Sequence, residues 1–244
     1  MSRVYHYTFE NQSLPIMVCE DSWKKTKGTF LRSGNLTEMD SIQSFYELIP
    51  KDQNVNIVDI GAQSGLYSLL SKHLPMCTFY SFEPFKETYD ILLKNIKIND
   101  IKNIKTFNIA VSKETESHKL TVCKHNNGFH TMSNQPIRFS NDNAYTVDVQ
   151  TDTLDNLFFE NNIPVHFIKI DTEGWEYNIL LGAHKCISKW HPTIQLEWQE
   201  INMKQCNSDP KSMLALLESY GYREMYHIGE DKCFTYSTLN GEPL

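Results

Sequence analysis

Residues 56–65 read NIVDIGAQSG, and this stretch decides the fold. Ile57, Val58 and Ile60 form a short apolar run that leads into Gly61 and then Gly65. Behind them Leu66, Leu69, Leu70 and Leu74 recur at helical spacing, so the pattern reads strand, glycine turn, helix. Gly61 lets the backbone turn sharply and lets a ligand approach it closely. The N–H groups that open the next helix are expected to stand free as donors. Asp59, at the strand tip, only accepts hydrogen bonds when ionised, which suits an ammonium or a hydroxyl rather than a phosphate. Neither Lys nor Arg occurs from Val55 to Ser71, so the turn lacks the cation a phosphate site wants. Alone this signal is weak, because many α/β folds carry such a turn without a ligand.

Downstream, Thr78–Glu83 (TFYSFE) reads as a second strand ending in Glu83-Pro84-Phe85. Glu83 lies 24 residues beyond Asp59, near the offset at which dinucleotide folds place a ribose-binding carboxylate. Phe85, Tyr89, Leu92 and Ile96 share one face of a helix over Phe85–Ile98. Ile104–Val111 reads as a third strand, so Asn108, Ile109 and Ala110 would border the glycine turn if the strands are parallel. Glu114–Asn143 is polar and reads as an inserted lid or substrate loop carrying Phe129 and His130. His130 is either a base or a surface-loop histidine. Val147–Val149 resumes a strand, and Thr153–Phe158 reads as a short helix with Thr153 as its N-cap. The apolar run Val165–Ile170 suits a buried central strand ending at Asp171, followed by a helix from Trp175. Thr193–Trp198 is a further strand, Lys211–Tyr220 a helix, and Tyr222–Ile228 with Lys232–Tyr236 a terminal hairpin. Upstream, Val4–Phe9 and Ile16–Val18 read as short strands, Trp23–Gly34 as loop, and Thr37–Ile49 as a helix stopped by Pro50. Residues 1–36 are therefore expected to form an N-terminal extension, and 37–244 a domain with an insertion at about 114–146.

DIGAQSG, FEP and KIDTEGWE together resemble an FkbM-type methyltransferase, a class of S-adenosylmethionine-dependent enzymes. The resemblance runs from about Thr37 to about Tyr236, and KIDTEGWE is its more discriminating part. Related sequences usually carry Asn or Gly where Gln63 stands. The resemblance implies a single Rossmann-like class I α/β domain, with a mostly parallel seven-stranded sheet, helices on both faces and an antiparallel last strand. It implies S-adenosyl-L-methionine on Asp59, Gly61, Ala62, Gln63, Ser64 and Gly65. Glu83, with Pro84 beside it, would take the ribose hydroxyls. Phe85, Asn108, Ile109 and Ala110 would border the adenine, and Glu38 is a further candidate contact, or else only a partner of the helix dipole. It also implies O-methylation, with a sugar hydroxyl of a glycan as the working acceptor and a polyketide-like small molecule as the alternative.

In open α/β sheets ligands bind at the carboxyl ends of the strands. Carboxylates mark four of those ends, Asp59, Glu83, Asp171 and Glu197, although such groups usually avoid the core. An alcohol is a poor nucleophile until its proton is taken. Lys169, Asp171, Glu173 and Glu197 are therefore the candidates for handling an acceptor, with Asp171 or Glu173 as base. The competing reading is that Glu173 caps its helix and Asp171 pairs with Lys169. Oxygen ligands of this kind also suit Mg²⁺, an option weighed but not favoured, so no metal ligand is assigned.

The hydrophobic share of 40% supports a full core for one domain. A net charge of −7 argues against a nucleic-acid partner and so against an RNA methyltransferase. Lys24, Lys25 and Lys27 form the single evident basic cluster. Six scattered cysteines contain no C-x-x-C pair, which disfavours a zinc site. With no apolar signal region and no long apolar run, the chain reads as cytoplasmic, without a membrane span. An NAD-dependent oxidoreductase would also use Glu83, but the fuller G-x-G-x-x-G is absent. A non-catalytic binding module would keep Glu83 and lose methyl transfer. Oligomeric state has no signature in the sequence.

Overall fold

A computed structural model of the chain describes residues 2–9, 12–25, 31–32, 35–124, 129–134 and 144–237. Lys27, the middle of the expected insertion and the last seven residues lie outside that set.

The chain opens with an antiparallel pair, β1 (Ser2–Thr8) and β2 (Ser13–Cys19), in register from Ser2↔Cys19 to Thr8↔Ser13. A short helix, α1 (Glu20–Lys25), follows within the stretch expected to be loop. The two-residue strands β3 (Leu31–Arg32) and β4 (Asn35–Leu36) lead to α2 (Met39–Leu48), which buries Ile42, Phe45 and Tyr46. Then come β5 (Val55–Ile60), β6 (Cys77–Phe82), helix α3 (Lys86–Ile98) and β7 (Ile104–Phe107).

Between β5 and β6 the expected helix over 66–74 is instead a 3₁₀ segment, Ser68–His73. One i→i−4 bond forms, Leu69 N to Gly65 O at 2.9 Å, but Leu70 N and Leu74 N close onto Tyr67 O and Ser71 O three residues back, at 3.0 and 3.2 Å. The expected strand 104–111 is also broken. After β7 the chain leaves the main sheet at Asn108-Ile109, and β8 (Ala110–Val111) joins a smaller sheet with β9 (Ser117–Cys123) and β10 (Ala144–Asp152). The described parts of the insertion therefore form paired strands, β9 running antiparallel to β10 from Ser117↔Gln150 to Cys123↔Ala144. At 153–158 the expected helix is a π-helical turn, Asp155–Phe159, and Thr153 Oγ1 accepts from Asn156 N at 3.0 Å.

The remaining elements are β11 (Phe167–Ile170), α4 (Glu176–Leu181), α5 (His184–Trp190), β12 (Thr193–Glu197), α6 (Glu200–Gln205), α7 (Pro210–Ser219), β13 (Tyr222–Ile228) and β14 (Asp231–Tyr236). The seven-stranded sheet has the order β13-β14-β12-β11-β5-β6-β7. Its pairs are parallel except those of β14, which runs antiparallel to both neighbours.

Alternation along the strands supplies two cores. Val58, Ile60, Tyr80, Phe82, Ile168 and Ile170 pack against α4, α5, α7 and the π turn. Ile57, Phe79 and Phe167 pack against α2, the 3₁₀ segment and the N-terminal strands. From β5 the chain works outward through β6 and β7, then returns to β11 on the other flank of β5. The carboxyl ends of β5 and β11 thus flank the point where the order reverses, where this architecture leaves a crevice.

Candidate active site

A cavity of about 840 Å³ opens at those strand ends, a volume in the range of small-ligand sites. Its floor includes Asp59, Gly61, Gln63 and Glu83, its roof Ile109, Ala110, Leu120 and Met132, and its far wall Asp171, Glu173 and Glu197.

The turn after β5 is fixed by its own backbone. Gly61 N and Ala62 N both donate to Phe82 O, at 3.0 and 2.9 Å, and Gly65 N donates to Ala62 O at 2.8 Å. These three donors of the turn are thus spent on holding the loop. Gly61 has φ +78°, and a β-carbon there would lie 1.8 Å from Asp171 O, so no other residue fits. Gln63, at φ +50°, folds its side-chain oxygen back onto Ser64 Oγ at 3.0 Å and lines the cavity. Ala62, Ser64 and Gly65 shape the turn from behind the cavity surface. Asp59 is buried and accepts from Ser68 Oγ, which is 2.7 Å from Ser81 Oγ. Burial raises its pKa to about 6, against the opposing pull of Ser68 and Lys169.

Glu83 is buried beside the turn. One oxygen accepts from Gln63 N at 3.0 Å and the other from Phe85 N at 2.9 Å. Each oxygen keeps lone-pair capacity for a further donor. Burial lifts its pKa to about 7, with those two bonds opposing. Pro84 and Ile109 line the cavity, whereas Asn108 turns its amide onto Glu83 O and Pro84 O, both at 2.9 Å, and holds the strand exit. Phe85 is buried behind the lining and meets His130 edge to face, with ring centroids 4.7 Å apart. His130 lines the cavity. Its Nδ1 accepts from Cys123 N at 3.2 Å, which leaves the ring proton on Nε2, a buried atom without a partner among the described residues. Burial lowers its pKa to about 4, so the ring is a neutral donor at neutral pH.

On the opposite side, Lys169 is fully buried, with Nζ 3.1 Å from Asp231 Oδ1, 3.4 Å from Asp171 Oδ2 and 4.8 Å from the Tyr67 ring centre. Burial alone would lower its pKa, yet Asp171, Asp231 and Tyr67 hold it well above the ordinary lysine value. Asp171 is about a third exposed, toward the cavity. Glu173, at φ +54°, is buried and accepts from Asn202 Nδ2 at 2.7 Å. Glu197 is buried, and its Oε2 has no partner among the described residues. Burial, then Glu173, Asp171 and Glu176, push its pKa well above the carboxylate range. Asp171, Glu173 and Glu197 bring one oxygen each within 4.8 Å of the others. Glu38 sits exposed at the mouth with φ 55°, next to α2, and its side chain makes no capping bond.

Four participants escaped the sequence reading. Glu176 closes KIDTEGWE and holds the turn, Oε1 accepting from Thr172 N at 3.0 Å, Thr172 Oγ1 at 2.9 Å and Gly174 N at 3.3 Å. Its place in the motif was the available signal. Asp231, Tyr67 and Gln195 had none, because each meets its partner across a long stretch of chain. Gln195 Nε2 donates to Tyr67 Oη at 3.2 Å, and its Oε1 accepts from Tyr226 Oη at 3.0 Å.

A family model described as "Methyltransferase FkbM domain" matches residues 59–224, more than half of the chain. The "Methyltransferase sdnD" of Sordaria araneosa is 26% identical over 167 residues, covering 57% of this chain and 64% of that protein. Among solved structures, methyltransferase FkbM from Methylobacillus flagellatus matches with TM-score 0.50 and 17% identity, over 78% of this chain and 45% of that one. Precorrin-6y C5,15-methyltransferase from Geobacter metallireducens matches with TM-score 0.50 and 10% identity, over 86% and 93%. At these identities the two structures speak to the fold. The chain spans less than two thirds of the sdnD protein and under half of the solved FkbM chain.

Proposed function

Because this chain belongs to the methyltransferase FkbM family, we propose that it transfers a methyl group from S-adenosylmethionine to a hydroxyl of a small acceptor. A sugar hydroxyl of a glycan is the first candidate and a polyketide-like hydroxyl the alternative. The observation that carries this reading is Glu83. Its two oxygens are each pinned by one backbone N–H and turned to the cavity beside Gly61, the arrangement that two adjacent ribose hydroxyls need. The family match gives the oxidoreductase alternative no support.

The residues present fit the cofactor. Glu83 would accept from the ribose, Asp59 would pair with the amino group, and Gly61 would allow close approach. Ile109, Ala110 and Met132 offer an apolar slot for the adenine, and the Nε2 proton of His130 is a donor for its ring nitrogens. When bound, S-adenosylmethionine supplies an electrophilic methyl carbon on a sulfonium. That fixed positive charge disperses as the methyl leaves, so the protein gains more from alignment than from tighter charge pairing. Asp171, Glu173 and Glu197 hold the acceptor hydroxyl from the far wall. Asp171, the most exposed of the three, takes the hydroxyl proton as the oxygen attacks, and Lys169 holds that carboxylate in place. Three acids favour a neutral, hydroxyl-rich acceptor over an anionic one. Trp175, half-buried at the cavity with Nε1 donating to Ser112 Oγ at 3.1 Å, offers a face for a sugar ring.

A methyl-donor assay against a panel of glycans and polyhydroxylated small molecules, read by mass for the gain of one CH₂, tests the activity. Calorimetry with S-adenosylhomocysteine and with NAD tests the site. The proposal predicts binding of the first alone, and failure of S-adenosylhomocysteine to bind at about 1 mM overturns it.

A further inference from the structure

We infer that Asp171, Glu173 and Glu197 form a binding site for one hard divalent cation, Mg²⁺ or Mn²⁺, at the acceptor end of the cavity. The ion's relevance to catalysis rests on the methyl-transfer reading; the site does not.

Three carboxylates from two neighbouring strand ends converge there, each with an oxygen within 4.8 Å of the others. Glu173 and Glu197 are buried, so water does little to screen their repulsion. The neighbouring cation relieves it only in part. Lys169 is committed to Asp231 and Asp171, and Glu197 has no ion pair among the described residues. Glu197 Oε2 is a buried acceptor with no partner there, and its residue lines the cavity. Asn202, fully buried, repeats the pattern. Its Nδ2 orients Glu173, while its Oδ1 also lacks a partner among the described residues. An unpaired buried acceptor is costly, and two adjoining one acidic cluster point to a missing positive charge.

The ligand chemistry selects the ion. All the donors are oxygens, with no thiolate or imidazole among them, which suits Mg²⁺ and Mn²⁺ over Zn²⁺ or Cu²⁺. Of three ligands around one Mg²⁺, one pair at most stands about 4.2 Å apart and the others about 3 Å, so the carboxylates would close on the ion by up to about 2 Å through side-chain rotation. Its frame is already stiff. Glu176 ties the turn through Thr172 and Gly174, and a β-carbon on Gly174 would lie 2.3 Å from Asn202 O. Supporting contacts of this kind are what orient metal ligands. The competing account is a single proton shared between Glu173 and Glu197.

Chelator-stripped protein titrated with Mn²⁺, with the free ion followed by electron paramagnetic resonance, separates the two. The cation site predicts about one equivalent bound below about 1 mM, displaced by Mg²⁺. Glu197→Gln should weaken binding at least about tenfold, and so should Asp171→Asn, which serves if the first variant does not fold. Glu160→Gln, at an exposed acid paired with Lys185, should leave binding unchanged. Absence of binding, or equal binding by all variants, leaves only the shared proton and overturns the site. S-adenosylhomocysteine is titrated on the same samples. Its binding without Mn²⁺ binding sinks the cation site and spares the methyl-transfer reading; the reverse result does the opposite.

Discussion

On the proposed reading Glu83 bears two opposed demands. Binding ribose hydroxyls needs the ionised carboxylate, and burial disfavours it, raising the pKa from 4.5 to about 7. Between those values the folded chain keeps a proton that the unfolded chain has released, so stability falls as pH rises through that window. The full cost above it is about 3 kcal/mol. Urea midpoints of the apo protein at pH 5, 6, 7 and 8 should show this decline, and Glu83→Gln should make it shallower, with Asp59 and Glu197, also raised by burial, supplying what remains. Affinity for S-adenosylhomocysteine should run the other way, weakening up to about tenfold per pH unit below 7 as Glu83 is protonated. At Gly61, substitution by Ala meets both a positive φ and the Asp171 carbonyl. Gly61→Ala should lower stability by at least about 3 kcal/mol, measured by chemical denaturation, and abolish cofactor binding. Both residues were legible in the sequence because their roles are local: a glycine after a strand, an acid at the next strand's tip. The neutral Nε2–H form of His130 was not, since it depends on a bond to Cys123, seven residues away.

Among the elements, the N-terminal pair β1–β2 is a brace for the glycine turn. Tyr7 Oη donates to Leu66 O at 2.7 Å. Asn95, fully buried on α3, accepts from Cys19 N and donates to Ser22 Oγ and Ser64 O, all at 2.8 Å. Asn95→Ala strands the Cys19 amide and the Ser64 carbonyl. It should cost about 3 kcal/mol, speed hydrogen exchange in β1–β2, and weaken S-adenosylhomocysteine binding by loosening the turn. The sequence hid this brace because its partners lie 31 and 76 residues from Asn95. It also hid the break after β7, where IKTFNIAV continues without a turn residue strong enough to mark the exit. Asn108 supplies the punctuation through bonds to two carbonyls that no local pattern announces. Helices α5 and α6 went unread because each is under two turns long, too short for a periodic signal.

For the molecule as a whole, the α/β class was readable because short apolar runs, glycine turns and helical faces alternate, while the seven strands and the antiparallel last one came from the resemblance and their order only from the structure. The far wall was only half readable. Its acids stand in KIDTEGWE and at the end of β12, but the pairing of Lys169 with Asp231 joins residues 62 apart. Among the described residues no helix is long and apolar enough to cross a membrane. Since the cavity draws on both cores and the small sheet, a bound ligand should stabilise the entire domain. At 100 times its Kd, S-adenosylhomocysteine should add about 2.7 kcal/mol, a rise in melting temperature of about 5–10 °C by calorimetry, while NAD at the same concentration should add none.

The seam where Gly61 presses on the Asp171 carbonyl carries a lesson for engineering. On the proposed reading it welds donor and acceptor stations together through main chain alone, so their separation is insulated from side-chain drift. The entrance is built differently, from residues 36–41 and 228–231, fastened by Ser41 Oγ donating to Ile228 O at 3.3 Å. A library randomised at Thr37, Met39 and Glu230 could then retarget the enzyme toward new alcohols without disturbing the line along which the methyl travels.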